Sequence, residues 1–131
     1  MDVEVELTKI IINETSDQQI IVLKEREGER GFPIVIGIVE IFAIDRRLKG
    51  AVPPRPMTHD LLAHVIESLG AKVEKIVIDD LRNHIFYAKI HLLSNGETVT
   101  IDSRPSDAIA LGAASQAPIF VAEHVLDEVC Q

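Results

Sequence analysis

The chain has 131 residues, 47% hydrophobic and 26% charged, without a low-complexity tract, which is the composition of one ordered domain spanning 1–131 rather than of a disordered chain. Thirteen Lys and Arg stand against 21 Asp and Glu, and the net charge of −8 is opposite to the basic footprint of proteins that hold nucleic acid through its phosphates. The only cysteine, Cys130, rules out an intrachain disulfide and a multi-cysteine zinc site.

The opening "MDVEVELTK" has neither the basic flank nor the apolar segment of a signal peptide, and no apolar run approaches the ~20 residues that span a bilayer. A cytoplasmic protein without a membrane partner is expected. "VEVEL" alternates apolar and acidic residues, "NETSD" supplies turn chemistry and "QQIIVLKE" follows, so residues 2–26 read as a hairpin. "FPIVIG" reads as a short buried strand. Gly37 then opens a helical segment, with Ile38, Ile41, Phe42 and Leu48 at core-like spacings, that stops near Gly50.

After the breaker "AVPPRP", Thr58 is suited to cap a helix whose Leu61, Leu62, Val65, Ile66 and Leu69 form one apolar stripe, with Gly70 as its stop. From Lys72, "KVEKIVIDDL", "HIFYAKIHLL" and "ETVTIDS" are rich in β-branched and aromatic residues and are divided by Arg82-Asn83 and Ser94-Asn95-Gly96, which predicts a three-stranded meander. "IDSRPSDAIALG" starts a further helix running to about Ser115. Its small, all-round apolar interior suits burial against a close neighbour, and that closeness accounts for Gly112. The strand "APIFV" and a helix from about Glu123 to Val129 finish the chain. Together these elements predict an α+β fold: a single compact domain with a mixed, mainly antiparallel sheet and three to four helices.

The polar residues gather at the starts of helices. In "IDSRPSDAIALG", Pro105 suits the first helical position, and Ser106 or Asp107 can cap free amides. Capping leaves over Asp102 at a strand end and Arg104, which read either as an ion pair bracing the corner or as groups aimed at an anion. Arg55, His59 and Asp60 form a second cluster after another Arg-Pro pair. Asp60, His64 and Glu67 recur at i, i+4 and i+7, the spacing of one helix face, which is also ordinary for a solvated one. Glu40 lies among apolar residues and, if buried, needs a cation from elsewhere, with Arg55 and Arg104 as candidates. Asp79, Asp80 and His84 are read as turn chemistry. No phosphate-binding glycine loop, nucleophile elbow or Cys/His pairing is present, and 4% aromatics is little for a stacking platform.

The segments "PIVIGIVEIFAI", "RPMTHDLL", "IFYAKIHL", "IDSRPSDAIALG" and "APIFV", in this order, resemble the bifunctional nuclease family from about residue 3 to about residue 127. The resemblance implies a dimeric α+β domain, and for plant members a nuclease acting on RNA and single-stranded DNA. By motif position it carries the family's polar residues onto Glu40, Arg55, His59, Asp60, Asp102, Arg104, Ser106 and Asp107. The sequence departs from the pattern at Ile41, Ser103 and Ala114, where alanine, alanine and often arginine are usual. The missing arginine removes a phosphate contact.

Two readings follow. In the first, a metal-assisted phosphodiesterase, Asp102 and Asp107, with Asp60 or Glu40, hold Mg²⁺ or Mn²⁺, Arg55, Arg104 and Ser106 engage the substrate, and His59 is the base. In the second, a non-catalytic homodimeric module uses the same Arg/Asp/His network to fix the fold or to bind a small anion or partner. Composition favours the second and the resemblance favours the first.

Overall fold

A computed structural model describes residues 1–130. Strands β1 (Asp2–Ile11), β2 (Gln19–Glu25) and β3 (Gly31–Ile36) run as an antiparallel meander, and helices α1 (Ile38–Leu48) and α2 (Thr58–Ser68) follow. A second antiparallel meander comprises β4 (Ala71–Arg82), β5 (Ile85–Ser94) and β6 (Glu97–Ser103). Then come α3 (Pro105–Ser115), β7 (Ile119–Ala122) and α4 (Glu123–Val129). The two meanders form one seven-stranded sheet, in the order β3-β2-β1-β7-β4-β5-β6, because β7 pairs antiparallel with β1 and parallel with β4. The α+β architecture with four helices and a mixed, mainly antiparallel sheet is as the sequence predicts.

The hydrophobic alternation sets which strand face is inside. In β5, Ala88, Ile90 and Leu92 are buried, and in β4, Ile76 and Ile78 are fully buried against them. Helix α3 lies between α1 and α2 and covers β4 and β5, while α4 packs on β4 and β7. The sheet curls enough for Phe32 of β3 to stack on Phe86 of β5, with ring centroids 5.6 Å apart. The β1–β2 loop is tied down by Gln19, a fully buried polar side chain whose amide donates to the Asn13 and Ser16 carbonyls (2.9 and 2.8 Å) and accepts from the Asn13 amide.

Three local expectations are corrected. β3 is an edge strand with one face inside: Phe32, Ile34 and Ile36 are buried, whereas Gly31, Pro33 and Val35 are exposed. Pro33 donates no ladder hydrogen bond, which suits an edge and would disrupt a central strand. Thr58 is the first helical residue of α2 rather than its cap; Met57 holds the cap position, without a side-chain hydrogen bond. Four of the five stripe residues of α2 face outward, Leu61, Leu62, Val65 and Leu69 at 54, 42, 46 and 79% exposure, while Ile66 packs partly buried against the core. The buried side of α2 is instead His59 and Ala63, one turn apart, packed on an α3 rich in small residues.

Gly112 fits its predicted role. An added Cβ would sit 2.9 Å from Cγ1 of Ile76, which is fully buried on β4. Alanine gains about 1 kcal/mol of helix propensity, but forcing an unyielding core contact costs about 1–3 kcal/mol. Gly112→Ala is therefore expected to lower stability by about 1 kcal/mol and Tm by a few degrees in thermal unfolding followed by circular dichroism. A rise in Tm would contradict the packing argument.

Candidate functional site

Three helix beginnings converge on one cluster. Glu40 lies in the first turn of α1 and is 8% exposed. Gly37 makes room for it: a Cβ at that position would be 2.7 Å from Glu40 Oε2. The cation that a buried carboxylate requires is Arg104, whose Nη2 donates to Glu40 Oε1 at 2.9 Å. Arg104 precedes α3, and its Nε and Nη2 also donate to Oδ2 of Asp107 at 3.0 and 2.7 Å. The other Asp107 oxygen, Oδ1, lies 3.1 Å from Nε2 of His59, the second residue of α2 and 8% exposed. The result is a continuous chain, Glu40–Arg104–Asp107–His59, running from α1 through α3 to α2.

The electrostatics follow from these partners. Burial raises the Asp107 carboxyl, but hydrogen bonds from His59 and Arg104 outweigh it and hold the group below its ordinary value. The hydrogen bond and charge of Asp107, ahead of those of Glu40, push the Arg104 guanidinium upward. An ionised Asp107 only accepts, so His59 Nε2 carries the proton in their hydrogen bond, and Nδ1 is the ring nitrogen on the far side from the carboxylate. The Arg104 side chain is 70% exposed although two carboxylates grip it, and its Nη1 amino group is free of them. The cluster thus has an oriented imidazole and a guanidinium at the surface.

The remaining expected site residues lie elsewhere. Asp102, on β6, pairs with Lys89 (3.3 Å), which also reaches Asp79 (3.5 Å), rather than with Arg104; the corner is braced by Asp107 and Glu40 instead. Asp102 and Asp107 share no partner. Asp60 pairs with Arg47 at 3.0 Å, and Arg47 also donates to the Ala114 carbonyl (3.3 Å). Arg55 is exposed in the loop before α2 and enters no ion pair among the described residues. Ser106 is 7% exposed in the first turn of α3, and neither it nor Asp107 caps the helix. Arg47 and Gly37 are the participants the sequence reading missed; a glycine where Ser, Thr, Asp or Asn would usually cap α1 was the available signal.

The donor set fits a divalent cation poorly. Among the described residues no three His, Cys, Asp or Glu side chains gather in a metal-holding group. Asp107 has both oxygens engaged, so a cation there would have to displace His59 or Arg104. No helix of the described residues is long and apolar enough to cross a membrane.

Comparison with known proteins gives a consistent picture. The family described as the bifunctional nuclease domain matches residues 21–131. An uncharacterised protein of Mycobacterium tuberculosis is 37% identical over 123 residues, covering 94% of this chain and 73% of the relative. Bifunctional nuclease 2 of Oryza sativa subsp. japonica is 27% identical over 114 residues, and bifunctional nuclease 1 of the same rice is 25% identical over the same length. The match covers 84% of this chain but only 35 and 34% of those two rice proteins.

The Asp107 shift has a testable sign. A carboxyl depressed in the folded state contributes stability that is complete above its unfolded value, near pH 4, and is lost as pH falls through the lower folded one. Thermal unfolding between pH 7 and pH 2 should therefore show the native protein losing Tm below about pH 4 more steeply than Asp107→Asn, with the gap between them closing. Parallel curves would mean that Asp107 carries no such linkage.

Proposed function

The chain belongs to the bifunctional nuclease domain family, and we propose that it hydrolyses phosphodiester bonds of RNA or single-stranded DNA at the Glu40–Arg104–Asp107–His59 cluster. The observation that carries this reading is the pairing of an Asp-oriented imidazole with an exposed guanidinium held by two carboxylates. Asp107 fixes the His59 tautomer, so Nδ1 takes the proton from an attacking water. The water oxygen bonds to phosphorus, the ester P–O bond breaks, and the leaving sugar oxygen takes a proton from solvent. Arg104 offsets the charge that develops on the phosphoryl oxygens. Glu40 touches no substrate and positions Arg104.

Metal assistance belongs to a finer version of the same proposal, in which Asp102 and Asp107 would hold Mg²⁺ or Mn²⁺ and the cation would offset charge on the phosphoryl oxygens; the pairing of Asp102 with Lys89 and of Asp107 with His59 and Arg104 weighs against it. The second reading, a non-catalytic module that binds a small anion or a partner, is favoured by the complete internal pairing of Asp107 and by the net charge of −8. The homodimer is part of the proposal too. The outward apolar stripe of α2, Leu61, Leu62, Val65 and Leu69, is the face it would cover.

Cleavage of labelled single-stranded RNA and DNA, with Mg²⁺, Mn²⁺ or EDTA, tests these versions. His59→Gln is expected to lower the rate about 10²–10⁴-fold and Arg104→Ala about 10²–10³-fold. Asp102→Ala separates the mechanisms: a rate unchanged in EDTA supports the imidazole acting alone, and a loss together with Mn²⁺ dependence supports the metal version. Equal cleavage by native protein and His59→Gln would mark a contaminant and end the catalytic reading.

Sedimentation equilibrium tests the assembly. The native protein should run as a dimer and the Leu62→Glu, Val65→Glu variant as a folded monomer, since both side chains are already partly solvated. A native monomer would remove the dimer from the proposal.

A further inference from the structure

Beside the exposed end of Arg104 lies a cavity of about 400 Å³, bounded by β3, the β4–β5 turn and the start of α3. It falls within the range of roughly 300–1,000 Å³ usual for small-molecule sites, whereas the proline-lined cavity next to Asp60 holds about 210 Å³. Its lining mixes polar side chains, Arg104, Ser106 and His84, with apolar ones that include Pro33, Val35 and Ile85.

The polar part of the lining offers an anion more than a helix terminus. Helix α3 has 11 residues and no side-chain cap, and Ala108 N is its first amide bonded to a carbonyl, that of Arg104. Pro105 has no N–H, so the Ser106 and Asp107 amides are free donors. Ser106 lines the cavity at 7% exposure, and its hydroxyl is engaged by no other group among the described residues. The hydroxyl keeps some access to solvent through the cavity, since the fully enclosed side-chain atoms without a partner among the described residues are Asp79 Oδ1 and Ser115 Oγ. Asp107 and Glu40 occupy Nε and Nη2 of Arg104, which leaves Nη1 for a ligand.

The turn over the cavity places a histidine in its wall. The β4–β5 and β5–β6 hairpins both use two-residue turns with positive φ at each residue, a geometry that favours Asn-Gly. The second turn is Asn95-Gly96, with φ of 52° and 78°. The first is Asn83-His84, with φ of 51° and 65°, so an imidazole occupies a left-handed position that its sister turn gives to glycine. The turn thus presents an imidazole beside Arg104 and Ser106 in the lining of one cavity.

We propose that this cavity is a mononucleotide subsite, in which Arg104, Ser106, His84 and the free α3 amides take the phosphate while Pro33, Val35 and Ile85 receive the sugar and base. The identity of the ligand rests on the phosphodiesterase reading; the existence of an anion subsite does not. The shared chemistry is a phosphate ester bearing one unpaired nucleoside, either free or within a strand.

Binding is measured in EDTA by amide chemical shifts, titrating native protein, Ser106→Ala, His84→Gly and Ile85→Asp with adenosine monophosphate, inorganic phosphate and a short single-stranded oligonucleotide. Both small probes should move the Ser106 and Asp107 amides, with adenosine monophosphate bound at least several-fold tighter than phosphate. Ile85→Asp, at an exposed site, should remove that preference while leaving phosphate binding in place. His84→Gly should raise Tm and weaken both probes; a higher Tm with unchanged binding would overturn the role of His84. Tighter binding of the oligonucleotide assigns the subsite to a strand, and tighter binding of adenosine monophosphate assigns it to a free nucleotide. Failure of phosphate to move the α3 amides, or equal affinity for both small probes, would overturn the subsite. Binding by a protein that cleaves nothing would retain the subsite and end the nuclease reading, and cleavage without binding would do the reverse.

Discussion

A carboxylate buried in the first turn of α1 must be neutralised, and a single guanidinium does it. Without Arg104, Glu40 would be a charge in a nearly closed site, a loss far larger than a surface ion pair contributes. That requirement locks the start of α3 against α1. Once Arg104 is fixed there, its other edge orients Asp107, and Asp107 in turn orients His59 on α2. The convergence of three helix starts thus follows from one electrostatic demand. Gly37 permits it by leaving room for the carboxylate.

Much of the fold was legible because its signals are local. The Asn95-Gly96 turn divides strands dense in β-branched residues where the sequence places it, the other turn falls at Asn83-His84, one residue beyond Arg82-Asn83, because Arg82 still pairs with Ile85, and Pro105 marks the first turn of α3. The orientation of α2 was less legible. A leucine stripe ordinarily faces the core, yet here His59 and Ala63 face it, because α3 is lined with small residues and sits too near for leucines to intervene.

The site was half legible for a different reason. Glu40 announced a need for a cation, and Arg104 was one of two candidates, but the choice depended on a contact across 64 positions. The capping chemistry of Ser106 and Asp107 read correctly as residue preference and incorrectly as geometry, since the Asp107 oxygens are taken by two side chains, His59 on α2 and Arg104 just ahead of α3, instead of by helix amides. Asp102, one strand residue away from this junction, is taken by Lys89 because the β5–β6 register sets those two residues opposite each other. Linear nearness to Asp107 carried no information about that.

The position of β7 has a consequence for how the chain acquires its shape. Each meander can form from neighbouring segments, with only short loops to close, but the four residues that join them are made after nearly everything else. Until residues 119–122 exist, β1 and β4 are both open edges, unpaired ladders that invite other strands. On a ribosome the nascent protein is therefore two half-sheets awaiting a late bridge, and the interval before that bridge closes is its period of greatest vulnerability to misassociation.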